Sequence, residues 1–137
     1  MDRSLIERFM TSDTYKEIKS AKRVRREIRF NTRLPASMFT QNEEKASALE
    51  NETLLVQGVI DCYYVTEDGK TVLLDYKTDF FPEDMDEKAI AKELRRRHRG
   101  QLYYYKLALE RLLLRPVDRV EIFSFAIGKA VSLRFRQ

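Results

Sequence analysis

Three stretches of the chain alternate apolar and polar residues or run rich in β-formers, and one long stretch repeats at a helical period. In 22–31 (KRVRREIRFN), Val24, Ile28 and Phe30 fall on one side and Arg25, Glu27 and Arg29 on the other, which predicts a half-buried strand. Residues 53–65 (TLLVQGVIDCYYV) and 71–78 (TVLLDYKT) are dense in β-branched and aromatic side chains. They flank Glu67-Asp68-Gly69-Lys70, a strong hairpin signal. Residues 4–20 predict one helix with Leu5, Ile6, Phe9 and Ile18 as its sparse apolar positions. The segment 35–52 is polar and weakly patterned, a loop or a short helix. From about 86 to 114 runs a helical pattern, with a bend expected near Arg99-Gly100 and a stop before Pro116. Residues 117–127 and 130–136 predict two strands joined at Gly128-Lys129. The order is α-β-β-β-α-β with an extra strand last, an α/β fold whose mixed, largely antiparallel sheet is flanked by helices.

The central hairpin allows two registers. A two-residue loop, Asp68-Gly69, would set Asp75 opposite Cys62 and turn Asp61 to the other face. A three-residue loop, Glu67-Asp68-Gly69, makes a type I turn with Gly69 left-handed and sets Asp61 directly opposite Asp75. Patterning favours the second, because it gathers Ile60, Cys62, Tyr64, Val72, Leu74 and Tyr76 on one apolar face. Asp61, Asp75 and Lys77 then share the other. Opposed Cβ atoms lie about 5 Å apart in such a pair, so the two carboxylates repel unless a cation sits between them. Lys77 emerges on the same face roughly 7 Å along the strand from Asp75. Two hard oxygen ligands beside an ammonium are what metal-assisted phosphodiester hydrolysis needs.

Composition narrows the chemistry further. The chain has 137 residues, one cysteine (Cys62) and one histidine (His98). A lone cysteine cannot form an internal disulfide or a four-cysteine zinc or iron–sulphur site, and it fits a reducing, cytoplasmic setting. A lone histidine disfavours a His-rich metal site or a Ser/His/Asp triad, so carboxylates must carry any catalysis. No apolar stretch approaches membrane-spanning length, the N-terminus has no signal-peptide core, and there is no glycine-rich phosphate loop for ATP. The net charge is +4, gathered in two clusters, Lys22, Arg23, Arg25, Arg26 and Arg29, then Arg95, Arg96, Arg97 and Arg99. Such clusters on a nearly balanced chain suggest a polyanion partner, although two solvated faces explain them equally well.

Gly58-Val59-Ile60-Asp61, then Asp75-Tyr76-Lys77-Thr78-Asp79, then Gln101-Leu102-Tyr103-Tyr104-Tyr105 resembles the PD-(D/E)XK nucleases. More closely, these motifs are similar to the RecB/AddA-type nuclease domain. Arg26-Glu27-Ile28-Arg29-Phe30 and Arg99-Gly100-Gln101-Leu102 share the likeness, which runs from about 20 to 136. The resemblance implies one nuclease domain over 1–137, the C-terminal part of a larger helicase–nuclease that processes double-strand break ends with a partner subunit of AddB/RexB type. It implies Mg²⁺ or Mn²⁺ on Asp61, Asp75 and the main-chain carbonyl of Tyr76, with Lys77 as the catalytic lysine. Glu27 matches the glutamate of the first core strand, and Gln101 and Tyr105, four apart on one helix face, would help position substrate. Arg25, Arg29, Arg95, Arg96, Arg97 and Arg99 would hold the DNA backbone, the substrate being single strands leaving a helicase. RecB-like domains usually add a histidine on a helix well upstream of the glutamate strand, and residues 1–26 supply none. A fragment beginning after that helix would have an incomplete metal shell.

Each residue also has a plainer reading. Facing carboxylates are seldom ordinary exposed acids, but Glu27 among basic neighbours can be a solvated ion pair and Gln101 a helix-surface residue. Some of Tyr103, Tyr104 and Tyr105 must be core, His98 reads as a bystander or backbone contact, and Cys62 as an inert buried thiol. The competing function is a DNA-binding or subunit-docking module that kept the nuclease fold without cutting. A nuclease carrying an iron–sulphur cluster conflicts with the single cysteine.

Overall fold

A computed structural model describes residues 3–135. Helices α1 (Arg3–Met10) and α2 (Asp13–Lys19) precede strand β1 (Arg23–Pro35). A 3-10 turn (Ala36–Phe39) and a short helix α3 (Glu43–Ala48) lead into β2 (Thr53–Val65) and β3 (Thr71–Lys77). The long helix α4 (Glu87–Leu113) then crosses to β4 (Arg119–Ser124), which turns into β5 (Lys129–Leu133). The five strands lie in sequence order in one sheet. Among the described residues only the β3–β4 pair is parallel, as the α4 crossover between them requires, and the other pairs are antiparallel. The α/β fold with a mixed, largely antiparallel sheet is the one the alternation predicts.

The predicted helix over 4–20 is two helices. Ser12 has extended backbone and its hydroxyl accepts from the Tyr15 N–H, capping a new helix instead of continuing the old one. The predicted bend at Arg99-Gly100 is absent: α4 runs unbroken from its Asp86 cap, whose carboxylate accepts from the Ala89 N–H, to a left-handed Leu114 two residues before Pro116. Two short helical pieces occupy the weakly patterned 35–52. The last strand is shorter than the predicted 130–136, and Arg136 lies outside the described residues.

Helices cover the sheet on both sides. Against α4 pack Tyr63, Leu73, Val120, Ile122, Val131 and Leu133, facing Ile90, Leu94, Leu102, Ala108 and Leu109 of the helix. Against α1 and α2 pack Cys62, Tyr64, Val72, Leu74 and Phe123, with Ile18 buried and Phe9 half-buried among them. Truncating any of the fully buried Leu73, Leu94, Leu102 or Leu109 to alanine is expected to cost about 2–5 kcal/mol. No described helix is long and apolar enough to cross a membrane.

One expected face is corrected. Patterning groups Ile60 with Cys62 and Tyr64, and Val24 with Ile28 and Phe30; in the structure Cys62, Tyr64 and Val24 join the α1–α2 side, whereas Ile60, Ile28 and Phe30 join the α4 side. The change of side falls where Glu27 takes left-handed backbone, φ 52°. The register is the same before and after, Arg26 with Cys62 and Ile28 with Ile60, but the Glu27–Asp61 position between them is missing from the ladder. The β1–β2 ribbon therefore rolls over at that point, and strict alternation is lost there.

Candidate active site

The hairpin between β2 and β3 fixes the site. Gly69 takes φ 87°, the Gly69 N–H donates to the Thr66 carbonyl at 2.9 Å, and Thr66 and Lys70 close a three-residue loop. The register that follows pairs Cys62 with Leu74 and Tyr64 with Val72, so Asp61 falls opposite Asp75 as patterning requires. The ladder ends at Cys62–Leu74. Beyond it the Tyr76 N–H, which faces β2, donates to Asp61 Oδ2 at 2.9 Å. The Asp61 carboxylate thereby replaces a backbone partner and is held beside Asp75.

Asp75 and Lys77 continue the face on which Leu73 packs beneath α4. Asp75 is only 3% exposed, and its Oδ2 is buried without a hydrogen-bond partner of acceptable geometry. Lys77 Nζ approaches that same oxygen at 3.0 Å, an ion-pair contact off the direction of a good hydrogen bond. Burial pushes the Asp75 carboxyl up to about 6; Lys77 opposes this and the neighbouring Asp61 adds to it. Lys77 Nζ also donates to Gln101 Oε1 at 3.2 Å, and Gln101 Nε2 donates to Tyr105 Oη at 3.2 Å. A continuous chain thus runs Asp75–Lys77–Gln101–Tyr105, from the end of β3 to the middle of α4.

Tyr105 is seated by Phe30, edge-on at 5.4 Å between ring centroids. Gly58 makes room for both rings, since a Cβ there would stand 3.2 Å from Phe30 Cζ and 3.3 Å from the Tyr105 hydroxyl. The structure therefore gathers Asp61, Asp75, Lys77, Gln101, Tyr105 and the Tyr76 backbone. Glu27 lies across the ribbon from Asp61 with an exposed side chain, outside this hydrogen-bonded chain.

The basic residues are placed less uniformly. Arg25 and Arg29 are exposed on β1. On α4, Arg96 and Arg97 share Glu93, at 2.6 and 3.0 Å, and Arg97 also reaches Asp79 at 3.1 Å. Arg95 donates to the Ser132 carbonyl, and Arg99 donates to the Arg134 carbonyl while lying over the Phe135 ring. These guanidinium groups keep exposed surface but are oriented by the chain itself. His98 bonds Asp79 Oδ2 at 2.9 Å, tying the loop after Lys77 to α4. Burial pushes the Cys62 thiol up to about 11, consistent with an inert core residue.

Two adjacent carboxylates, one of them buried and ion-paired with Lys77, are hard oxygen donors of the kind a divalent cation takes. Among the described residues no group of three or more His, Cys, Asp or Glu side chains is placed to hold a metal.

What fold and site define is a mixed α/β domain with paired carboxylates and an amine at the end of its hairpin. No protein-family model matches the chain. Among curated proteins, the A subunit of the ATP-dependent helicase/nuclease of Clostridium novyi is 36% identical over 126 residues, 92% of this chain and 10% of its own length. The protein of that name from Heliobacterium modesticaldum is 38% identical over 126 residues, 92% of this chain and 9% of its own. That of Oceanobacillus iheyensis is 34% identical over 131 residues, 96% of this chain and 10% of its own. Over nearly its whole length this chain is related to a segment of these helicase/nuclease proteins, and it spans about a tenth of their length.

Proposed function

We propose that this chain is a PD-(D/E)XK-type nuclease domain that hydrolyses DNA phosphodiester bonds with a divalent metal ion. The observation that carries the reading is Asp75 Oδ2, buried and without a hydrogen-bond partner, beside Asp61 and 3.0 Å from Lys77 Nζ. Two carboxylates this close, one of them buried, carry more negative charge than the single Lys77 ammonium offsets, and a divalent cation would supply the rest. The similarity to helicase/nuclease A subunits supports a nuclease role; the sequence resemblance adds, as part of this proposal, the processing of double-strand break ends in recombinational repair with a partner subunit of AddB/RexB type.

Asp61, Asp75 and the Tyr76 carbonyl would hold Mg²⁺ or Mn²⁺. When bound, the ion supplies Lewis-acid polarisation of the phosphate and a lowered pKa for its water. The Tyr76 N–H orients Asp61 through one oxygen and leaves the other for the ion. Lys77, held between Asp75 and Gln101, orients the attacking water or offsets charge on the phosphate in the transition state. Gln101 sets the height of the Lys77 amine, and Tyr105 in turn fixes the Gln101 amide. Glu27, exposed on β1 across the ribbon from Asp61, would complete the ligand set in the bound state. Arg25, Arg29 and Arg95 to Arg99 would contact the backbone of the strand.

Cleavage of labelled single-stranded DNA in Mn²⁺ tests the proposal. Asp75→Ala should abolish cleavage while DNA still binds, and unchanged cleavage overturns the assignment. That no group of three or more His, Cys, Asp or Glu side chains among the described residues is placed to hold a metal favours one other reading, a DNA-binding or subunit-docking module that does not cut. That reading expects no cleavage by the parent chain under any metal.

A further inference from the structure

A second feature of α4 adjoins Gln101. Between this helix and the segment around the 3-10 turn lies a groove of about 500 Å³, lined by Met38, Phe39, Tyr103, Tyr104, Phe135 and Arg99 among others. Phe39 meets Tyr104 edge-on at 4.9 Å, and Tyr103 lies tilted against Phe135 at 5.5 Å. The Arg99 guanidinium covers Phe135 at 5.0 Å. Tyr104 stays 42% exposed, and neither it, Tyr103 nor Phe39 joins the hydrophobic core. Phe135 packs on the core beneath, but Tyr104 is exposed and Phe39 and Tyr103 lie half-buried outside the core, so these three rings and a cation line the groove. They present π faces and positive charge, the combination that holds unpaired nucleobases.

Position adds to chemistry. Tyr104 stands three residues from Gln101 on α4, so the two are neighbours on the helix surface, and Gln101 holds Lys77. We propose that this groove stacks the bases of a single-stranded nucleic acid whose backbone lies at the Asp61–Asp75–Lys77 site. A duplex keeps its base faces covered, so the groove selects an unpaired strand. The proposal rests on the nuclease reading only for where the backbone of the strand lies.

Fluorescence anisotropy in EDTA, where no metal-dependent cleavage occurs, tests it with a labelled oligo(dT) and an abasic strand of equal length. The parent chain should prefer oligo(dT) roughly tenfold or more, the strength of one stacked base. Tyr104→Ala should lose most of that preference, Tyr104→Phe should keep it, and circular dichroism should be alike for all three. Tyr103→Ala provides a second truncation from the same groove. Equal affinity for the two strands, no binding by the parent, or a preference unaltered in both alanine variants overturns the proposal and leaves the groove to a protein partner. Loss of Mn²⁺-dependent cleavage with an intact base preference would instead count against the nuclease reading alone.

Discussion

Asp61 accepts a hydrogen bond from the Tyr76 backbone at 2.9 Å at the point where the β2–β3 ladder has ended. A side chain has taken over what a carbonyl would do in a longer sheet. This parting of the strands gives the carboxylate pair its opening, and the backbone bond prevents Asp61 from swinging away from Asp75.

The charge on Asp61 should be visible in the titration of its neighbour. Asp61→Asn keeps an acceptor for the Tyr76 N–H but removes the negative charge, so the Asp75 pKa should fall below its value of about 6. Carboxyl carbon chemical shifts of metal-free protein would report it. The sign for stability is fixed: Asp75 titrates above its ordinary 3.8, so the folded chain binds the proton more tightly than the unfolded one. Stability contributed by this group is therefore lost as pH rises from about 4 to about 6, and an Asp75→Asn chain should not show that loss.

Gln101 is a positioning residue. Gln101→Ala releases Lys77 from α4 but leaves the carboxylates untouched, so cleavage should slow roughly ten- to hundredfold while Mn²⁺ affinity stays constant. A matching fall in metal affinity would show that the residue acts on the ligands instead.

Gly58 is expected to resist a methyl group. Gly58→Ala places a carbon 3.2 Å from Phe30 and 3.3 Å from Tyr105, and relieving this should cost about 1 kcal/mol in thermal or urea unfolding. Because Tyr105 must yield, the cleavage rate should drop as well.

Glu27 sits at φ 52°, where a side chain is strained. Glu27→Gly should raise stability by roughly 0.5–1 kcal/mol. If the strain serves to aim the glutamate at the metal, the more stable variant should cut more slowly. A chain that is both more stable and equally active would show that Glu27 is not part of the site.

The hairpin was legible because the turn signal around Gly69 left only two registers and the apolar set Cys62, Tyr64, Val72 and Leu74 chose between them. The face exchange at Glu27 was not, because alternation assumes that every residue advances the strand by the same half-turn. One left-handed residue breaks that assumption without leaving a composition signal. The split at Ser12 is readable in principle, since serine followed by aspartate is an N-cap pattern, but sparse apolar spacing over 4–20 hides it. Helical spacing pairs Gln101 with Tyr105, whereas the bond from Lys77 to Gln101 depends on where α4 crosses the sheet. The Asp79–His98 tie belongs to the same class. It joins a loop to a helix, and local sequence holds no record of that docking.

Calorimetric titration of the chain with Mn²⁺ tests the paired aspartates most directly. One binding event in the parent, lost in both Asp61→Asn and Asp75→Asn while circular dichroism stays unchanged, is the predicted result. Binding that survives in both variants, or none in the parent, would contradict a metal site built on these two residues.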